Sequence, residues 1–185
     1  VARFSIGLLN KEQIHGAYIG SSPEGGKVCA PLLRKKVQID ELATAFLYVN
    51  SLGYHEVYVN GKKVTENVLT PAVSQLNKRS LMVTYDVSSY LKEGENDLLI
   101  WLGQGWYKKT TFGAAYDGPL VKAELDMLKD GKWKVLTATD TSWSGRESGY
   151  SDIGNWCALQ FGGERVDGRI VLTEFSTYSL DKMKW

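Results

Sequence analysis

Serines, glycines and lysines are the first residues to test for chemistry, and none of them completes a recognised catalytic motif. A serine nucleophile needs a Gly-x-Ser-x-Gly elbow, and Ser21 and Ser148 lack the flanking glycines. The Gly-Gln-Gly run at 103–105 matches the start of a dinucleotide-binding fingerprint. However, Lys108 stands at the position of the third glycine, and no helix is predicted to follow. The sequence therefore favours neither a serine hydrolase nor a dinucleotide-binding enzyme.

Metal chemistry also lacks a motif in this sequence. His15 and His55 are the two histidines, and neither has a second histidine or a cysteine at zinc-ligand spacing. We interpret His55 as a strand residue next to Glu56 rather than as a metal ligand or a general base. The sequence identifies no metal ligand and requires no cofactor. Calcium remains compatible with it, because oxygen ligands follow no spacing rule outside motifs such as the EF-hand.

Glycoside hydrolysis needs two carboxyl groups held several ångström apart across a sugar, and two acidic pairs have suggestive spacing. Glu95 and Asp97 flank a predicted turn, and Glu164 and Asp167 flank a bend near the end. Solvated turn residues are the ordinary interpretation of both pairs. For Glu164 and Asp167, together with Arg169, we predict a salt-bridged bend with a structural, interdomain role. We expect no catalytic residue in this chain.

Aromatic and polar loop residues are the candidates for binding a sugar. Trp106 and Tyr107 follow two glycines after an apolar strand, where flat rings are able to stack on a pyranose. Asn60, Gln75 and Asp117 lie in predicted loops and could present polar edges to hydroxyl groups. The alternative for the two rings is that they are buried and fill one end of the sandwich core. The alternative for the three polar residues is that their side chains form hydrogen bonds within turns.

The elements that must position these residues have the alternating pattern of strands. Alternation runs through 45–50 and 56–60, and Asn-Gly at 60–61 predicts a type I′ turn. Residues 98–102 are apolar at every position, which predicts a central strand covered on both faces.

A second hairpin is predicted further along the chain. Residues 121–127 and 132–137 alternate around Asp-Gly at 130–131, with Trp133 expected in the core. Residues 139–155 are predicted to form an irregular connection. Because no segment keeps a helical period, we predict an all-β fold, a two-sheet antiparallel β-sandwich of the jelly-roll type.

Length and charge limit the partners of this fold. The 185 residues suit one domain, which excludes a large barrel enzyme. The 22 Lys and Arg side chains nearly balance the 21 Asp and Glu side chains, so no net field attracts nucleic acid or an anionic membrane surface. No apolar window is long enough to span a bilayer. We expect neither nucleic acid nor a membrane as a partner.

The two cysteines say little about the compartment. Cys29 and Cys157 are too few for a disulfide framework and far apart in the sequence. We interpret them as two free, buried thiols. The sequence leaves the compartment and the oligomeric state open, with an extracytoplasmic location favoured.

Several motifs follow one another along the chain in a recognisable order. The strand-turn-strand section at 45–62 is followed by Val-Leu-Thr-Pro at 68–71 and Gly-Glu-Asn-Asp-Leu at 94–98. More specific are Gly-Gln-Gly-Trp-Tyr at 103–107 and Gly-Glu-Arg-Val-Asp-Gly-Arg at 163–169. In this order the motifs resemble the N-terminal sandwich domain of bacterial α-L-rhamnosidases. The resemblance covers nearly the whole chain and implies a galactose-binding-like sandwich. The jelly roll of β-galactosidase-like and β-glucuronidase-like enzymes shares the earlier section and is the alternative.

The sequence departs from the family's pattern after the proline of the Val-Leu-Thr-Pro motif. The family usually carries Gly-Trp-Thr-Asp there, whereas residues 72–75 are Ala-Val-Ser-Gln. An aromatic ring and a carboxylate are therefore missing, and any contact that they make in relatives is not carried over.

The resemblance implies that catalysis belongs to a helical barrel that follows such domains and is absent from this chain. We therefore expect an accessory domain that binds carbohydrate or positions substrate for a hydrolase acting on terminal α-L-rhamnose. Its partners would be the downstream catalytic domain and a rhamnosylated glycan, with calcium as a further ligand in some relatives. The alternative is a packing domain without a ligand. The expected organisation is a lead-in segment at 1–30, the sandwich at 31–169, and a C-terminal strand and linker at 170–185.

Overall fold

Strands make up nearly all of the regular secondary structure in the computed structural model, which describes residues 8, 10–20, 30–107, 118–154 and 162–185. Within those residues a 3₁₀ turn, Lys11–Gln13, precedes the strands, and a short helix, α1 (Thr177–Asp181), follows them. The strands are β1 (Pro31–Ile39), β2 (Ala45–Leu52), β3 (Tyr54–Val59), β4 (Lys62–Lys63), β5 (Met82–Asp86), β6 (Gly94–Gly103), β7 (Leu120–Lys129), β8 (Lys132–Ala138), β9 (Ser144–Glu147), β10 (Tyr150–Ile153) and β11 (Gly163–Val166).

Two antiparallel sheets pack face to face, which confirms the predicted sandwich. The first sheet has the order β4-β3-β6-β1-β9, and the second has the order β5-β2-β7-β8. Alternate side chains of both sheets point inward and form one apolar core. A separate two-stranded ribbon joins β10 to β11. The largest fully buried core side chains are Ile39, Leu47, Leu98, Ile100, Leu102, Leu125 and Met127.

Both predicted tight turns are present. Asn60 and Gly61 have φ angles of 50° and 82°, and Asp130 and Gly131 have φ angles of 53° and 70°. Positive φ at both central positions is the geometry of a type I′ turn, whose twist matches that of the flanking strands. These turns fix the register of β3 against β4 and of β7 against β8.

The central strand β6 is covered on both faces, as its apolar run predicted. Leu98, Ile100 and Leu102 face the sandwich core, whereas Leu99 belongs to a second cluster on the outer face of the first sheet. The C-terminal segment, residues 170–185, lies over that face. It contributes the side chains Leu172, Phe175, Leu180, Met183 and Trp185 to the second cluster.

A buried ion pair anchors this C-terminal segment to the sheet. Arg34 of β1 donates from Nε and Nη2 to the two carboxylate oxygens of Asp97 on β6, at 2.6 and 2.9 Å. Arg34 and Asp97 are 7% and 2% exposed. Nη2 of Arg34 also donates to Asp181 of α1 at 2.6 Å. The guanidinium lies 5.4 Å from the ring centre of Trp185.

The N-terminal segment at 14–20 adds to the edge of the second sheet. Ile19 forms an antiparallel bridge with Val121 of β7, and the Ala17 N–H donates to the Thr139 carbonyl oxygen at 2.7 Å. The backbone and the ring of His15 then contact the Glu124 carboxylate at 2.6 and 3.0 Å.

A carboxyl pair lies under this segment on the outer face of β7. Glu124 is fully buried, and Asp126 is 7% exposed. Burial, and then the charge of Glu124 and its hydrogen bond, raise the pKa of Asp126 to about 6. One oxygen of Asp126 has no hydrogen-bond partner among the described residues.

Two local expectations about β8 and the connection after it differ from the structure. Trp133 is 46% exposed and packs on Phe46 of the outer face rather than in the core. The cause is a bulge between Leu125 and Asp126, which shifts the register so that Trp133 pairs with Leu128. The connection expected to be irregular contains β9, which pairs with β1, and β10.

The predicted C-terminal strand is replaced by the helix α1. Ser176 caps this helix by accepting the Ser179 N–H, and Leu180 is buried against the first sheet. The cap and the apolar contact favour a helical turn here. Among the described residues there is no helix with the length and apolarity needed to cross a bilayer. Cys29 and Cys157 lie outside the described residues.

Replacing Asp97 with Asn should strongly destabilise the domain. Arg34 would lose its bidentate partner inside the protein, and breaking a buried ion pair costs about 3 kcal/mol or more. The measurement is the free energy of unfolding in urea. The control is Glu95→Gln, which removes a half-exposed partner of Lys36 and should cost less than about 1 kcal/mol. Equal effects of the two substitutions would contradict this role of Arg34.

His55 should make stability fall as the pH is lowered. It is 3% exposed and neutral in a buried network. Because Ser51 O–H donates to the Gly53 carbonyl oxygen, Ser51 Oγ accepts from Nδ1 at 2.7 Å, which leaves Nε2 to accept from Tyr85 O–H at 2.9 Å. Burial lowers the pKa of His55 to about 4, against about 6.5 when unfolded. Its contribution is complete above about pH 6.5 and decreases toward pH 4, by roughly 3 kcal/mol.

The difference in unfolding free energy between wild type and His55→Gln isolates this effect from other titrating groups. That difference should change with pH between about 4 and 6.5. Parallel curves for the two proteins would contradict the assignment.

Asp126 should act with the opposite sign. Its folded pKa lies above the unfolded value, so its contribution is favourable at low pH and is lost as the pH rises through about 6. Asp126→Asn keeps a permanent donor next to Glu124 and carries no charge. We expect this variant to be at least as stable as wild type at pH 7.5. The difference in stability between the variant and wild type should shift in favour of wild type at pH 4. Thermal unfolding at both pH values measures this, and destabilisation at pH 7.5 would contradict it.

Candidate functional site

A hollow lies on the outer face of the first sheet, where β3 begins and β6 ends. Tyr54 pairs with Gly103, and Glu56 pairs with Trp101, so these four positions form a square on one face. Because Gly103 has no side chain, the space between the two aromatic residues is open. The resulting groove has a volume of about 300 Å³.

Two other parts of the chain form the walls of this groove. Tyr150 and Glu164 come from the ribbon of β10 and β11, and Leu69 comes from the loop after β4. We call this site the aromatic groove, and it is lined by Tyr54, Glu56, Leu69, Trp101, Tyr150 and Glu164 around Gly103.

Trp101 is held rigidly by neighbouring rings. Its ring centre lies 5.3 Å from that of Tyr150 and 5.8 Å from that of Phe175. Phe175 in turn stacks on Tyr58 at 4.3 Å. Aromatic pairs at these separations stabilise each other, so the groove has a preorganised aromatic wall.

Glu56 supplies a fixed carboxylate. Tyr58 O–H donates to one of its oxygens at 2.7 Å, and Lys63 Nζ donates to the other at 2.6 Å. Burial raises the pKa of Tyr58, and its hydrogen bond to Glu56 raises it further, so the phenol stays a donor. A carboxylate oxygen accepts more than one hydrogen bond, so Glu56 retains capacity for a ligand hydroxyl group.

Of the sequence candidates, Trp106 lies next to the aromatic groove. It is 40% exposed and contacts the same small cleft as Tyr54, Ala72 and Val73. Tyr107 is only 4% exposed, so in this structure its ring face is not presented to solvent. Its backbone is bonded to Gln104 at both N–H and C=O.

The polar candidates do not come together. Asn60 follows the far end of β3 and uses its side chain locally: it donates to the Tyr90 carbonyl and accepts the Asp97 N–H. Gln75 is exposed, in the same loop as Val73. Asp117 lies outside the described residues.

The bend residues divide between the groove and an ion pair. Arg169 donates from Nε and Nη2 to the Asp167 carboxylate at 2.8 and 2.6 Å. The hydrogen bonds from Arg169 hold the pKa of Asp167 well below its usual range. Glu164 instead lies on β11 opposite Asp152 and lines the aromatic groove. The interdomain role of the three residues stays a prediction.

The described residues contain no group of three or more His, Cys, Asp or Glu side chains placed to hold a metal ion. They do contain groove residues that sequence reasoning missed, namely Tyr54, Glu56, Leu69, Trp101 and Tyr150. Trp101 lies within an apolar run that does not reveal which side chain faces outward. The signal that was available is the pairing of alternate residues in β3 and β6, which places Tyr54 and Trp101 on one face.

Comparisons with known proteins all match the same family. The model of the α-L-rhamnosidase N-terminal domain matches residues 40–185. An α-L-rhamnosidase of Formosa agariphila is 32% identical over 84% of this chain and 17% of its own length. One of Alteromonas sp. is 28% identical over the whole chain and 21% of its own length.

Solved structures give the same result. The α-L-rhamnosidase from Dictyoglumus thermophilum superposes with a TM-score of 0.76 at 27% identity, over 90% of this chain and 20% of that one. The α-L-rhamnosidase from Aspergillus terreus superposes with a TM-score of 0.75 at 25% identity, over 92% of this chain and 20% of that one. The chain thus spans about a fifth of the length of the relatives it matches. On the family match and the shared fold together, this chain belongs to the α-L-rhamnosidase N-terminal domain family.

Proposed function

We propose that the chain is a non-catalytic accessory domain that binds a terminal α-L-rhamnose residue in the aromatic groove and positions it for a hydrolase. The observation that carries this proposal is the composition of the groove: three aromatic residues and two carboxylates around a position without a side chain. Aromatic rings stack on the C–H face of a pyranose, and carboxylates accept hydrogen bonds from its hydroxyl groups.

The reaction itself belongs, in this proposal, to the remainder of a longer enzyme. The chain corresponds to about a fifth of the relatives named α-L-rhamnosidase. Glu56 is engaged by Lys63 and Tyr58, which suits a fixed acceptor better than a group that transfers protons. The partners are then the catalytic domain of the same enzyme and a rhamnosylated glycan, and an extracytoplasmic location suits such a substrate.

A packing role is the second candidate, and exposed apolar side chains favour it. Val68 and Leu69 are each 69% exposed, and Val73 is 52% exposed, all in one loop beside the groove. Such a patch is typical of a surface that contacts another domain. Calcium is a further proposal, since oxygen ligands in loops need no recognisable motif.

Titration of the domain with methyl α-L-rhamnopyranoside tests the binding role. We expect a dissociation constant of about 1 mM, or roughly −4 kcal/mol, by calorimetry or by shifts in the tryptophan fluorescence spectrum. Parallel titrations with calcium and with a chelator show whether the ion contributes.

Gly103→Val should weaken this binding about tenfold or more, because it fills the hollow. The Cβ position at Gly103 is in ordinary contact with Tyr54 at 3.7 Å, and β-branched residues suit strands. Gly168→Val is the matched control, since nothing lies within 4 Å of its Cβ position. A flat titration with the folded wild-type domain, with and without calcium, would favour the packing role. Equal binding by both variants would place the sugar elsewhere.

A further inference from the structure

Leu69 has an unusual backbone conformation beside the aromatic groove. Its φ angle is 55°, in the left-handed region, which is uncommon for residues other than glycine, asparagine and aspartate. Its side chain is 69% exposed and lines the groove. A branched aliphatic side chain thus combines backbone strain with exposure to water, and such residues cluster at ligand-binding positions.

The neighbouring contacts keep Leu69 at the lip of the groove. The backbone N–H of His55 donates to the carbonyl oxygen of Thr70 at 2.7 Å, which ties the loop to the start of β3. Pro71 follows and is buried. Tyr54 and Trp101 line the same groove.

The groove therefore offers three kinds of contact. Rings accept the C–H face of a sugar, Glu56 and Glu164 accept hydroxyl hydrogens, and Leu69 offers an aliphatic surface. A neutral 6-deoxyhexose has all three complements: a C–H face, hydroxyl groups and a methyl group at C5. A hexose has a hydroxymethyl group in place of the methyl, and a uronic acid has a carboxylate, which the two glutamates would repel.

We propose that Leu69 is a specificity-determining residue of the aromatic groove, which contacts the methyl group that distinguishes a neutral 6-deoxyhexose from a hexose. This inference rests on the proposed function, since it concerns the same groove. Glu164 has a separate part: it accepts hydrogen bonds from hydroxyl groups that all neutral hexoses share, and it disfavours anionic sugars.

The size of the selectivity follows from the contact. Discrimination by a single small group in an apolar pocket is typically tenfold or more, and an open lip should reach the lower end of that range. We expect wild type to bind methyl α-L-rhamnopyranoside about tenfold more tightly than methyl α-L-mannopyranoside, which differs only by the hydroxyl group on C6.

Leu69→Ala tests the inference directly. It should weaken binding of the rhamnoside about tenfold and leave binding of the mannoside nearly unchanged, so that the preference disappears. Val68→Ala is the matched control, because Val68 is equally exposed but does not line the groove; it should keep the preference. Glu164→Gln should weaken both neutral sugars to a similar degree and keep the preference. Thermal unfolding checks that each variant is folded.

The outcomes separate this inference from the function on which it rests. If Leu69→Ala keeps the tenfold preference, or if wild type binds both sugars equally, the role of Leu69 is wrong and the sugar-binding function stands. If wild type binds neither sugar, both proposals fail. Loss of the preference in Val68→Ala as well would also overturn the assignment to Leu69.

Discussion

The ion pair between Arg34 and Asp97 is the interaction on which the outer face of the first sheet depends. Two charges lie under the C-terminal segment, and such charges are tolerated inside a protein only when they are paired and hydrogen-bonded. Arg34 also binds Asp181 and stacks on Trp185, so one side chain links two strands to residues near the end of the chain. The same docking brings Phe175 against Trp101, and thereby fixes the wall of the aromatic groove.

Local signals in the sequence were sufficient for the sandwich. Asn60 and Gly61 predict their turn because few residues adopt positive φ. The alternation in β7 predicts which side chains face the core, but it does not predict that Glu124 and Asp126 on the other face are also buried. The helix α1 escaped prediction because its stability comes from a cap and from Leu180 packing on a distant sheet. The prediction that Trp133 lies in the core was wrong because one bulge reverses the faces of the strand beyond it. No residue type near this bulge predicts it.

The candidate site was less accessible to sequence reasoning because its residues come from four separate parts of the chain. Tyr54, Trp101 and Tyr150 meet only after the strands pair, and Gly103 matters through the side chain that it lacks. Asn60 and Tyr107 had suitable chemistry, but the former completes a turn and the latter is buried. Residue type alone does not indicate which rings share a face, because that depends on how the strands pair.

The bridge between Ile19 and Val121 has a consequence for the behaviour of the domain in solution. β8 pairs with residues 124–129 of β7 and does not reach the start of that strand. Without the bridge to Ile19, the start of β7 would present unpaired N–H and C=O groups on this side. Such an open edge is a template for strand addition by another molecule and hence for aggregation. By occupying it, the segment around Ile19 protects this stretch of β7 from edge-to-edge association.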